Sequence, residues 1–85
     1  MLLTVKRVIP HLYEVSYRGH HITDLIKTVN NDWRFAGLFA KGHNREIYSL
    51  LATVFNMRFK TKTQAVIELE VTFARFEVAK NELGN

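Results

Sequence analysis

The stretch RFKTKTQAVIELE, residues 58–70, joins alternating cations to the beginning of a long apolar segment. Thr61 and Gln64 have the T-x-x-Q spacing of a capping box, in which each side chain satisfies a backbone amide of the other residue. Good helix formers follow, and the segment reaches Gly84, a residue type common at helix ends. We therefore predict a long C-terminal helix over residues 62–83.

The apolar residues of this helix fall on two of its sides. One side carries Ala65, Leu69, Phe73, Phe76 and Leu83, and the other carries Ile67, Val71, Ala74 and Val78. Either the second side packs against a shorter helix of the same fold, or it binds another chain. In the second case the predicted partner-binding residues are Ile67, Val71 and Val78, with Glu70 and Glu77 at the rim.

The first half of the chain predicts an antiparallel sheet. A β-branched run ends at Pro10, an alternating segment follows over 11–18, and Gly19 supplies a turn. Residues 22–29 are ambiguous, because their apolar residues have helical spacing while the turn NND and the aromatic run WRFAGLF after them favour a hairpin. We favour a strand there, and the helix remains an alternative.

A short amphipathic helix is predicted over residues 45–55. Asn44 is a plausible N-cap, and Glu46 lies in the first turn, where the helix dipole favours an acid. Ile47, Leu50, Leu51 and Val54 then form one apolar stripe. The predicted fold is therefore α+β: an antiparallel β-meander of three to four strands within residues 3–39, the short helix, and the long C-terminal helix packed on the sheet.

Composition indicates one small domain over residues 1–85. The chain has 85 residues, 47% of them apolar, and no cysteine. Cysteine-based zinc sites and disulfides are therefore excluded. The N-terminus has Lys6 and Arg7 where a secretory signal would continue its apolar region, and no apolar run approaches the roughly 20 residues of a membrane span. We expect a cytoplasmic protein with no membrane partner.

The positive charge is concentrated in one part of the chain. Residues 1–64 carry a net charge of +6, whereas residues 65–85 carry −2. Cations alternate with aromatic residues, which could give phosphate contacts and stacking surfaces. The candidate nucleic-acid-binding residues are Arg18, Arg34, Arg58, Lys60 and Lys62, the last three on one predicted strand face. The competing interpretation is that the aromatics face the core and the cations face water.

No arrangement typical of catalysis or metal binding is found. His20 and His21 are adjacent and would point to opposite faces of a strand, and the four glycines are isolated from one another. Ser16 and Ser49 lie in a predicted strand and helix rather than on a strained turn. We therefore expect a protein that is not an enzyme and has no cofactor or metal.

The residues Phe59, Thr61, Lys62 and Ala65 form the pattern F-x-T-K-x-x-A. This pattern resembles the strand-to-helix step in the arm-type DNA-binding domains of tyrosine integrases. The resemblance implies a sheet backed by a helix, with Trp33 as a sheet aromatic, and an origin in a phage or mobile element. A predicted helix of about eleven residues between Trp33 and Phe59 departs from that pattern.

These observations predict a small non-enzymatic binding or regulatory protein, encoded by a phage or mobile element. It would modulate a host protein or nucleoprotein complex in the host cytoplasm, and it could form a homodimer through the C-terminal helix. The alternative is a direct DNA- or RNA-binding module that uses a basic-aromatic sheet face.

Overall fold

The structure, a computed structural model, describes residues 3–37 and 45–84. Its elements are β1 (Leu3–Ile9), β2 (Leu12–Tyr17), β3 (His20–Lys27), β4 (Trp33–Ala36), α1 (Arg45–Phe55) and α2 (Lys62–Gly84). The strands form one antiparallel sheet in the order β1-β2-β3-β4. The α+β prediction, with a short helix and a long C-terminal helix, is confirmed. The predicted N-cap Asn44 and the last predicted strand residues, 38–39, lie outside the described residues.

Two short turns set the order of the first three strands. Pro10 and His11 join β1 to β2, with His11 at φ 70°. Arg18 and Gly19 join β2 to β3 with φ values of 52° and 83°. Positive φ at both central residues is the geometry of a type I′ turn, which matches the twist of paired strands.

Residues 20–27 form a strand, as favoured from the sequence. The pairing of β2 with β3 shifts register after Val15, so that Ile22 and Thr23 are both fully buried. Beyond the shift the side chains alternate, with Leu25 in the core. Val29, the last residue of the helix-like spacing, is 99% exposed beyond the end of β3.

Both helices pack on one face of the sheet. The Phe73 and Tyr17 rings lie 4.7 Å apart between centroids, and the Lys62 ammonium lies 4.2 Å from the centroid of the Tyr13 ring. Because Tyr13 and Tyr17 are near the two ends of β2, α2 runs along that strand. Phe35 and Phe59, 5.9 Å apart, close the core beside β4.

The segment before α2 differs from the prediction. Arg58, Lys60 and Lys62 do not share a strand face, because only Phe59 pairs, in an isolated bridge to Trp33, and Lys62 is already helical. Phe59 is buried and holds this segment against the core. The cap at Thr61 is present, since its hydroxyl accepts the Gln64 backbone N–H at 3.1 Å.

Candidate partner-binding surface

The two apolar sides of α2 have different environments. Ala65, Leu69 and Phe73 are fully buried against the sheet and α1. On the other side, Ile67, Val71 and Val78 are 54%, 39% and 57% exposed, and Ala74 between them is also exposed. We call Ile67, Val71, Ala74 and Val78 the outer stripe. The packing of α1 leaves the outer stripe in contact with solvent.

The outer stripe has a shallow depression along its second half. A volume of about 370 Å³ is lined by Val71, Ala74, Arg75, Val78 and Ala79. Its lining is mostly aliphatic, with Arg75 as the single charged side chain. A surface of this kind can accept apolar side chains from another protein while the guanidinium contacts an acidic group.

Glu77 lies where α2 crosses the β2–β3 turn. Its Oε1 atom accepts a hydrogen bond from Arg18 Nη2 at 2.8 Å and another from the Tyr17 hydroxyl. The Arg18 guanidinium also lies 5.5 Å from the centroid of the Tyr17 ring. These contacts are made within the chain, so Glu77 joins α2 to the turn.

The electrostatics of this cluster keep Tyr17 a hydrogen-bond donor. Burial raises the pKa of the Tyr17 phenol above its ordinary value, and the hydrogen bond to Glu77 raises it further. Hydrogen bonds to Tyr17 and Glu77 also raise the pKa of the Arg18 guanidinium. At neutral pH the phenol is therefore protonated and Arg18 is charged.

Glu70 lies in a different environment, in a groove between β1 and α2. This β1–α2 groove has a volume of about 700 Å³, with Leu3, Val5 and Tyr13 on the sheet side and Lys62, Val66 and Glu70 on the helix side. The Oε1 atom of Glu70 is buried and has no hydrogen-bond partner among the described residues. The sequence predicts Glu70 at the rim of the second apolar side of α2, but nothing in it indicates the groove.

The five predicted nucleic-acid-binding cations lie in different places. Arg18 is at the β2–β3 turn, bound to Glu77. Arg34 is on the sheet face away from the helices, since it alternates with Trp33 and Phe35. The others are at the opposite end of β2: Arg58 Nη1 lies 3.5 Å from Asp32 Oδ1, Lys60 is exposed, and Lys62 lies over Tyr13.

The sheet face away from the helices has charges of both signs. Lys6, Glu14 and Asp24 lie side by side there on β1, β2 and β3. The aromatic residues Tyr13, Tyr17 and Phe35 face the helices instead. The exposed sheet face is therefore neither strongly basic nor aromatic.

Three further findings bear on metal binding, on the membrane and on relatives. Within the described part of the chain, no three His, Asp or Glu side chains are grouped so that they could hold a metal ion. None of the described helices has both the length and the apolar character needed to cross a membrane. Comparison with models of known families, with curated proteins and with solved structures finds no match to this chain.

Proposed function

We propose that the protein is a non-enzymatic binding protein that regulates a partner protein or nucleoprotein complex by docking the outer stripe of α2 on it. The observation that supports this proposal is the exposure of Ile67, Val71 and Val78 on a helix whose other side already completes the core. The fold does not use the outer stripe, so its apolar surface is available to another protein.

The free energy gained by burying this surface against a partner is of the size expected for a regulatory interaction. Full burial of one aliphatic side chain of this size contributes about 1.5–3 kcal/mol, and three half-exposed ones contribute about half as much each. The total is a few kcal/mol before the cost of association is subtracted. A single helix face of this size fits an apolar groove on a partner.

The charge of the chain indicates a second property of the partner, an acidic surface. The chain as a whole carries a net charge of +4, although residues 65–85 by themselves carry −2, and Arg75 lines the depression in the outer stripe. A basic field of this kind accelerates association with acidic surfaces. We therefore propose a partner with an apolar groove bordered by acidic residues, in keeping with an accessory protein of a phage or mobile element that acts on a host complex.

The test is affinity capture from host lysate with three forms of the protein, each with and without nuclease. We expect the wild type to retain a partner, Val71→Glu to lose it, and Val29→Glu to retain it. Val29 is the matched control because it is 99% exposed in the β3–β4 turn, away from α2. Equal capture by Val71→Glu and the wild type would contradict the proposal, and loss of the partner with nuclease would show that nucleic acid bridges the two.

Direct binding of DNA or RNA stays a prediction. Its five candidate cations lie at both ends of β2 and on the far face of the sheet, and one of them, Arg18, is bound to Glu77. One nucleic-acid molecule that contacted all five cations would therefore have to reach both ends of β2 and the far face of the sheet.

A further inference from the structure

The first strand of the sheet has an open edge. β1 pairs with β2 on one side, and no other described strand pairs with it on the other. The opposite edge strand, β4, is partly occupied by the bridge between Trp33 and Phe59. An open edge presents unpaired N–H and C=O groups, which can bind a further strand.

The β1–α2 groove lies directly above this edge. α2 runs along β2 and covers only part of β1: Leu3 is buried, Val5 is half-buried and Arg7 is exposed. Leu3, Thr4 and Val5 line the groove on the sheet side. The buried Oε1 atom of Glu70 has no hydrogen-bond partner among the described residues. A buried acceptor without a donor costs about 1–3 kcal/mol, or more when it is charged. An occupant of the groove should therefore supply a donor, preferably a cationic one.

We propose that the occupant is β1 of a second copy of this chain, paired antiparallel with the first. In the register that places Val5 opposite Val5 of the second copy, Leu3 faces Arg7 of the second copy. Because Glu70 lines the groove together with Leu3 and Val5, that register brings the second copy's Arg7 to Glu70. The two-fold symmetry creates the same pair twice.

Arg7 has the properties that this contact requires. It is opposite Tyr13 in the sheet, so it points to the same face as Leu3, Val5 and the groove. Its side chain is exposed. The planar guanidinium of an arginine can donate two parallel hydrogen bonds to one carboxylate, which the ammonium group of a lysine cannot do.

The space in such a dimer is adequate. With each α2 above its own β2, the two helices are three strand spacings apart, about 14 Å. That gap leaves room for the aliphatic side chains of both copies and for the two Arg–Glu pairs.

The pairing between the two β1 strands extends from Leu3 to Arg7 and stops at the register shift between Arg7 and Ile9. Of the outer stripe, Ile67 lines the groove, whereas Val71, Ala74 and Val78 do not. Pairing through β1 therefore does not depend on the proposed function, which uses the outer stripe.

Sedimentation of the purified protein over a range of concentrations tests this inference. We expect a dimer whose dissociation constant rises about 100-fold in Arg7→Glu, where a glutamate faces Glu70. Glu70→Arg alone should weaken the dimer similarly, and the double variant should restore it. Lys6→Glu is the matched control, because it makes the same charge change on the opposite face of β1 and should leave the dimer intact.

Circular dichroism of each variant shows whether it is folded. A wild-type protein that remains monomeric at millimolar concentration would overturn the inference. It would also be overturned by a dimer that Val71→Glu dissociates and Arg7→Glu leaves unchanged, since such a dimer would use the outer stripe. Hydrogen exchange gives an independent result: the backbone amides of β1 should exchange more slowly as the protein concentration rises, and no change would contradict the pairing.

Discussion

Arg18 Nη2 lies 2.8 Å from Glu77 Oε1, and this contact ties the second half of α2 to the turn between β2 and β3. Successive residues in a helix are rotated by about 100°. Holding Glu77 at the turn, together with Phe73 in the core, therefore directs Val71 and Val78 to solvent. The contact thus helps to set which side of α2 is available to a partner.

Removing the Glu77 carboxylate should lower stability measurably. Glu77→Ala leaves the hydroxyl of the buried Tyr17 and the Arg18 guanidinium without this acceptor, and we expect a loss of about 1–2 kcal/mol in the free energy of unfolding. Arg75→Ala, an exposed change on the same helix, should stay within about 0.5 kcal/mol of the wild type. Urea denaturation measures both, and equal effects would contradict a structural role for Glu77.

Alkaline pH should weaken the same contact. The pKa of Tyr17 is raised in the folded protein, so its contribution to stability is complete below the pKa of the unfolded chain, about 10, and is lost as the pH rises through the folded pKa. We expect the wild-type melting temperature to fall more steeply above pH 10 than that of Tyr17→Phe. If the melting temperatures of the two proteins fell in parallel with pH, ionisation of Tyr17 would not contribute to the loss of stability.

Truncation should destabilise the protein strongly on one side of α2 and hardly at all on the other. Phe73 is fully buried, so Phe73→Ala should cost about 3–5 kcal/mol, enough to unfold much of a domain this small. Val78→Ala should change the free energy of unfolding by less than about 0.5 kcal/mol. Thermal or urea unfolding distinguishes them, and a large loss in Val78→Ala would mean that the outer stripe is part of the core.

Nucleic-acid binding can be tested separately from protein binding. If Arg58 and Lys60 contact phosphates, the affinity for DNA or RNA should fall steeply with salt as counterions are released. The double variant Arg58→Ala, Lys60→Ala should then bind more weakly and with a smaller salt slope. A gel-shift titration without binding at about 50 mM salt would exclude this function.

The sequence predicted the elements because their signals are local. Thr61 caps the N-terminus of α2, alternating residues mark β2, and Gly19 marks the turn after it. The ambiguity over residues 22–29 arose because a register shift makes Ile22 and Thr23 both point inward. This interrupts the alternation of inward and outward side chains that identifies a strand. Such a shift depends on the neighbouring strand, and the local sequence does not encode it.

The contacts that define the candidate surfaces could not be predicted in the same way. Glu77 contacts a residue 59 positions earlier in the chain, and no spacing rule relates the two. The groove at Glu70 depends on α2 lying over β2 instead of β1. For the segment at Arg58, alternation alone suggested a strand, whereas only Phe59 has a strand partner.

Photo-crosslinking in host cells tests most directly whether the outer stripe of α2 binds a partner, as we propose. A photoreactive amino acid is placed at Val78 in one form of the protein and at Val29 in another, both positions being exposed. We predict a specific crosslinked product from position 78 and none from position 29. Products of equal yield from both positions, or none from position 78, would contradict the claim.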